Sequence, residues 1–240
     1  MSGDIIDYKV GGIDLKLFVG EDTFKPNLTT QLLANSLEVK EGSTVLELGC
    51  GIAPLSIMAA KKGAAKVVAV DIMKKACENA QKNVEINGVS DRVKILNGSL
   101  FEPIKDQKFD VIINDVSGMA EAVSRISPWY PDSIPAGGHD GTAQTVTMLE
   151  ESKKYLNGGG SLYFPVLSLA DSPKILRKAM DVYGDGLQLL SEKWVPFCKE
   201  FKEKIVELEA MKKEGIIDFI TKRSRQLWQL RIYSATAAML

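Results

Sequence analysis

The sequence predicts an α/β fold built on a doubly wound, mainly parallel sheet, and two observations carry the prediction. From Val45 onward, short runs of Val, Ile and Leu alternate with helical segments, a spacing that requires right-handed crossovers between parallel neighbours and helices on both faces. The other is TVLELGCGIAPLSIMAA, residues 44–60, where an apolar strand breaks at Gly49 and Gly51 and resumes with helical spacing. Two positions without a Cβ let the chain turn tightly and let a ligand approach the backbone, at the sheet edge where such folds bind their ligands.

The elements follow in order. YKVGGIDLKLFV alternates apolar and polar residues around Gly11-Gly12, which reads as a hairpin, and PNLTTQLLANSL reads as a helix capped by Asn27. A strand at 44–48 leads to a helix at about 54–62, where Pro54 suits the first turn, and then to a strand at 66–70. Next come a helix near 73–86 closed by Asn87-Gly88, strands at 93–97 and 109–114, a helix near 143–155 and a strand at 161–166. After a helix near 171–183, LQLLSEKWVPF and QLWQLRIYSAT read as two further strands paired antiparallel. Between them, at 199–222, Phe201, Ile205, Leu208 and Met211 share one helical face, which suits docking on the core, contact with a second copy, or a lid.

Composition bounds the function. The 240 residues, 45% hydrophobic and 25% charged, suffice for one domain with a sizeable core, and no repeat or linker marks a boundary. A net charge of −1 gives no general attraction to nucleic acid or anionic lipid, so a nucleic-acid partner is disfavoured. No apolar run reaches the roughly 18 residues of a membrane span, and Asp4 and Asp7 stand where a signal peptide would be basic and then apolar, so a cytoplasmic chain is expected. Cys50, Cys77 and Cys198, odd in number and scattered, together with a single histidine, form neither a disulfide framework nor a metal site.

Two ligand classes compete for the glycine turn. A dinucleotide wants G-x-G-x-x-G, and Pro54 at the sixth position fits that poorly. Asp71 ends the second strand about 20 residues beyond the glycines, where a carboxylate can accept ribose hydroxyls in either class. The same residues resemble the class I S-adenosylmethionine-dependent methyltransferases, in which an acidic residue precedes a Gly-x-Gly-x-Gly turn. Glu47, Gly49 and Gly51 match, and Ala53 replaces the third glycine. The resemblance implies a Rossmann-like, seven-stranded sheet with an antiparallel last strand and S-adenosyl-L-methionine as cofactor. The implied cofactor contacts are Thr23, Glu47, Gly49, Gly51, Asp71, Ile72 and Asn114, with Asn97, Gly98 and Ser99 covering the adenine.

Within that family, GEDTFKPNLTTQLLA, FDVIIND and the stretch from Ile134 to Val166 are similar to the group that includes the release-factor glutamine methyltransferases and small-domain rRNA methyltransferases. The group's Asn-Pro-Pro-Tyr is here Asn114, Asp115, Val116, Ser117, without the prolines and the stacking ring that hold a planar amide. That change points to an amine or hydroxyl of a small molecule or a peptide or protein, oriented by Asn114, with Asp115 or His139 as base and Trp129 and Tyr130 walling the acceptor pocket. A glutamine amide or an RNA base is the alternative acceptor. A non-catalytic nucleoside-binding module and a dinucleotide oxidoreductase are the competing classes. One domain is expected, monomeric or homodimeric, with residues 1–42 closing over the cofactor, 43–166 as cofactor-binding core and 167–240 completing the sheet. Removal of residues 1–27 is expected to leave a foldable core that binds S-adenosylmethionine poorly.

Overall fold

A computed structural model describes residues 3–20, 23–130 and 133–237. Its main sheet is made of β3 (Thr44–Leu48), β4 (Lys66–Asp71), β5 (Val93–Asn97), β6 (Phe109–Asn114), β7 (Leu156–Leu167), β8 (Leu187–Pro196) and β10 (Arg225–Thr236), in the order β5-β4-β3-β6-β7-β10-β8. The pairs from β5 to β7 are parallel, and β10 runs antiparallel to both β7 and β8. An eighth strand, β9 (Ile220–Lys222), pairs with the start of β10. It interrupts the expected helical stretch at 199–222. The helices there, α7 (Lys199–Glu203) and α8 (Ile205–Lys213), end before Gly215, whose φ of 76° turns the chain into the β9–β10 hairpin.

The central strands are apolar on both faces because both faces are covered. Val45, Leu46, Leu48, Ile112 and Ile113 are fully buried. One core layer holds α2 (Pro54–Lys61), part of α3 (Lys74–Ile86) and the C-terminal aromatic residues; the other lies beneath α5 (Ala143–Ser152) and α6 (Ser172–Tyr183). The strand order reverses at β3, whose last residue, Leu48, lies beside Val70 of β4 and Asn114 of β6. Ligand sites of doubly wound sheets form at this switch point.

Asn27 caps α1 (Leu28–Ser36) as the sequence suggests: its Oδ1 accepts from the backbone N–H groups of Thr29 and Thr30, and its own N–H donates to Thr30 Oγ1. The predicted helix at 143–155 stops at Ser152, followed by a 3-10 turn, and β7 begins five residues earlier than expected, passing through Gly158–Gly160. A short helix, α4 (Glu121–Ile126), sits where the sequence offers no periodic signal.

The N-terminal hairpin differs most from expectation. Strands β1 (Gly3–Val10) and β2 (Ile13–Gly20) turn at Gly11 and Gly12, whose φ values of 54° and 84° suit a two-residue hairpin loop. The hairpin packs behind α2 and α3 rather than over the ligand edge; in the first 42 residues it is the later segment, Thr23–Thr30, that lines the cavity. Asn83 clamps it, accepting from Phe18 N–H at 2.6 Å and donating to Phe18 O at 3.1 Å and Ile52 O at 3.0 Å. Asn87 does the same for Lys16. Val10, Leu15, Leu17 and Val19 belong to the main core. Their burial contributes about 6–12 kcal/mol together, comparable with the whole stability of a domain. Deletion of residues 1–20 is therefore expected to abolish cooperative thermal unfolding and leave insoluble or molten protein, the opposite of the foldable core that the sequence suggests. A sharp melt within a few degrees of the full chain would contradict this.

Candidate active site

A cavity of about 420 Å³ opens at the carboxyl edge of β3, β4 and β6. The two turn glycines act differently in it. Gly49 (φ 75°) is pressed against the backbone of Val116, where an added Cβ would lie 2.9 Å from Val116 N and Cα. Gly51 (φ 53°) lines the cavity, and a Cβ there would meet nothing within 4 Å. Gly49 thus closes the turn, and Gly51 keeps its space open.

Asp71, at the end of β4, braces this turn. One carboxylate oxygen accepts from Gly51 N–H at 2.8 Å and the other from Met73 N–H at 2.8 Å. Burial raises its pKa while the two backbone bonds oppose the rise. Each oxygen keeps further lone-pair capacity for ribose hydroxyls. Asn97 has another task than the expected adenine contact: its carboxamide donates to Asp71 O at 2.9 Å and Ile72 O at 3.0 Å, fixing the end of β4. The wall beyond β5 is Gly98, Ser99 and Leu100, and Ile72 lines the cavity on the β4 side. Leu100, Met73 and Cys50 line the cavity without having been singled out from the sequence. Glu47 does not reach the wall. It is buried beneath the glycine turn, takes the Ser56 hydroxyl, and is pushed up to about 8 by burial.

At the other end, Asn114, expected at the cofactor and the acceptor, does not line the cavity: it is fully buried behind Asp115, and neither carboxamide atom has a hydrogen-bond partner. Asp115 lines the cavity, accepts from Thr30 Oγ1 at 3.2 Å and is pushed up to about 7 by burial, which the Thr30 bond opposes. Tyr130 and Trp129 also line it. The Tyr130 hydroxyl donates to Pro135 O at 2.7 Å and so accepts from Ser117 Oγ at 2.6 Å; its ring meets Phe24 edge to face, with centroids 5.2 Å apart. Trp129 leans on Phe201, a fully buried residue of α7, so the 199–222 segment docks on the core and supports the wall from behind. The C-terminal strands close this end with Val195 and Trp228, opposite partners in the β8–β10 register.

His139 is not part of the site. Its side chain is exposed and does not line the cavity. The preceding and following glycines pack together, while Asp140 accepts from Thr142 N–H, Thr142 Oγ1 and Lys174 Nζ, tying the loop to α5 and α6 and turning His139 to solvent.

The open cradle at Gly51, the pinned carboxylate of Asp71 and a cavity sized for a small ligand fit a nucleoside-containing cofactor. With the strand order and the glycine turn after β3, they define a class I S-adenosylmethionine-dependent methyltransferase. Residues 27–155 match the family model described as Ribosomal protein L11 methyltransferase (PrmA), and the chain belongs to that family. It is 36% identical over 101 residues to the ribosomal protein L11 methyltransferase of Syntrophomonas wolfei, covering 42% of this chain and 32% of that protein. A Methanocaldococcus jannaschii protein, provisionally assigned as a protein N5-glutamine methyltransferase, is 30% identical over 189 residues, 79% of this chain and 93% of the relative. The chain spans about a third to a half of the length of the L11 methyltransferases it matches. Among solved structures, the 16S rRNA N2 G1207 methyltransferase of T. thermophilus, in complex with AdoMet and guanosine, superposes with a TM-score of 0.65 at 15% identity, covering 98% of this chain and 50% of that one. With an rRNA methyltransferase among its structural neighbours, the expectation against a nucleic-acid acceptor finds no support. No helix among the described residues is long and apolar enough to cross a membrane.

The glycine geometry separates folding from binding. Gly51→Ala is expected to cost about 1 kcal/mol for its left-handed backbone and to weaken S-adenosylhomocysteine binding at least tenfold. Gly49→Ala is expected to lower the melting temperature further, because the backbone of Val116 must move. Thermal melts with calorimetric titration check both, and full affinity in Gly51→Ala would contradict the assignment.

Proposed function

We propose that this chain transfers a methyl group from S-adenosylmethionine to an amine or hydroxyl of a small-molecule, peptide or protein acceptor in the cytoplasm, with Asp115 as the proton acceptor. The observation that carries the reading is the position of Asp115: a carboxylate on the cavity wall, one residue past the end of β6, in a setting that raises its proton affinity to near neutrality. The cofactor, when bound, supplies the electrophilic methyl. Asp71 would accept the ribose hydroxyls, Gly51 would admit the nucleoside against the backbone, and Gly98 to Leu100 would flank the adenine. Trp129 and Tyr130 would hold the acceptor, and the buried Asn114, behind the wall, would reach a ligand only if Asp115 and its neighbours shift on binding. The protein's contribution is alignment, which can be worth many kcal/mol, and removal of the acceptor's proton at Asp115.

A second reading, a planar amide or base as acceptor, is favoured by one feature: the Tyr130 hydroxyl is tied to Ser117, so an aromatic ring returns from another loop beside the place that lacks the Pro-Pro-Tyr ring. The relative from M. jannaschii agrees with that reading. A carboxylate at 115 favours the first, because an amide nitrogen needs its hydrogens fixed by neutral acceptors, whereas an amine or hydroxyl needs a base.

Turnover, followed as labelled methyl transfer into fractionated extract and then into the acceptor found, should fall below about pH 7 as Asp115 takes up its proton and level off above it. Asp115→Asn should lower turnover by about 10²–10⁴ and remove that acidic limb, with cofactor binding near normal. Efficient methylation of a glutamine amide, or an unchanged rate in Asp115→Asn, would favour the second reading.

A further inference from the structure

The side chain that prepares Asp115 comes from 85 residues away, and its hydrogen bonds fix which way its proton points. Thr30 is the third residue of α1, buried to 4% exposure, and lines the cavity. Its Oγ1 has one proton and two lone pairs. A lone pair is taken by the backbone N–H of Asn27 at 3.4 Å, half of the reciprocal cap that starts the helix. The proton remains, and it is directed at Asp115 Oδ2, 3.2 Å away.

We propose that Thr30 is the positioning residue for Asp115: as the donor to Oδ2, it disfavours protonation of that oxygen and leaves Oδ1 to receive the acceptor's proton. A carboxylate at the end of a strand is otherwise free to rotate about its last bond, and either oxygen could carry the proton. The Thr30 donor removes that ambiguity and stabilises the ionised form, which burial alone would suppress. The link also runs the other way along the chain. The segment Thr23–Asn27, which lines the cavity, leads directly into the cap that orients the Thr30 hydroxyl. Placement of that segment and readiness of Asp115 are therefore one event rather than two. The other ionisable groups that feel the Asp115 charge are Tyr8 of β1 and Glu47 of β3. A change at Thr30 removes both the bond to Asp115 and the one from Asn27 N–H, and serine can restore both.

The inference rests on Asp115 being the base, yet its test does not require activity. Carbon-13 NMR of the carboxyl groups of the full chain without ligand gives the Asp115 midpoint directly, the resonance being identified by its loss in Asp115→Asn. Thr30→Val, which keeps the shape and removes the donor, should raise that midpoint by about one pH unit. Thr30→Ser should restore it. Affinity for S-adenosylhomocysteine, measured alongside, reads the cap: it should fall in Thr30→Val, where the Asn27 bond is lost, and return in Thr30→Ser. Thr30→Ala supplies the same reading if the valine variant does not fold. A midpoint unmoved in the variants lacking the hydroxyl would overturn the inference and leave the base role of Asp115 standing. A raised midpoint together with full turnover in Asp115→Asn would support the bond and overturn the base.

Discussion

The carboxylate of Asp71 holds together the two turns on which the cavity depends. It takes the N–H of Gly51 from the loop after β3 and the N–H of Met73 from the loop after β4, so both loops are set by one side chain at the switch point of the sheet. Asn97 extends the grip by donating to the carbonyls of Asp71 and Ile72 from the end of β5. Three neighbouring strand ends are thereby locked, and the space that Gly51 leaves open has a defined wall. Charge-assisted bonds from backbone N–H groups are among the stronger ones available, which explains how a buried carboxylate can brace a turn and still face a ligand.

Three carboxylates lie around this edge, and burial is the main cause of the raised proton affinity of each. They divide the work by their partners. Glu47 is sealed below the turn with Ser56 and belongs to the packing of β3 against α2. Asp71 is held by backbone donors. Asp115 has one hydroxyl donor and the cavity. The two carboxylates that reach the cavity, Asp71 and Asp115, favour a cationic ligand, because a positive charge nearby stabilises the ionised forms that burial penalises.

Local chemistry was legible in the sequence, and contacts between distant segments were not. The Gly11-Gly12 hairpin, the Asn27 cap, the glycine turn and the strand bearing Asp71 depend on neighbours within a few residues, and all appear where their chemistry places them. Asn97 misled because its strand-end position suggested a ligand contact while its amide serves the adjoining strand. His139 misled because a glycine-rich loop looks free, whereas Asp140 ties it to Lys174 across 34 residues. Val195 and Trp228 enter the cavity only through the antiparallel register of two strands separated by a helical insertion, and Thr30 meets Asp115 only through the tertiary fold. The hairpin was readable as a hairpin, but its place in the core rests on Asn83 and Asn87, polar residues whose partners lie 65 and 71 positions away.

The central claim is that the cavity at this edge receives S-adenosylmethionine. Isothermal titration of the full chain with S-adenosylmethionine, S-adenosylhomocysteine and NAD in parallel tests it most directly. The account predicts saturable one-to-one binding of the first two at micromolar concentration and no heat from NAD beyond dilution. Binding of NAD in their place, or no binding of either S-adenosyl compound by folded protein, would contradict it.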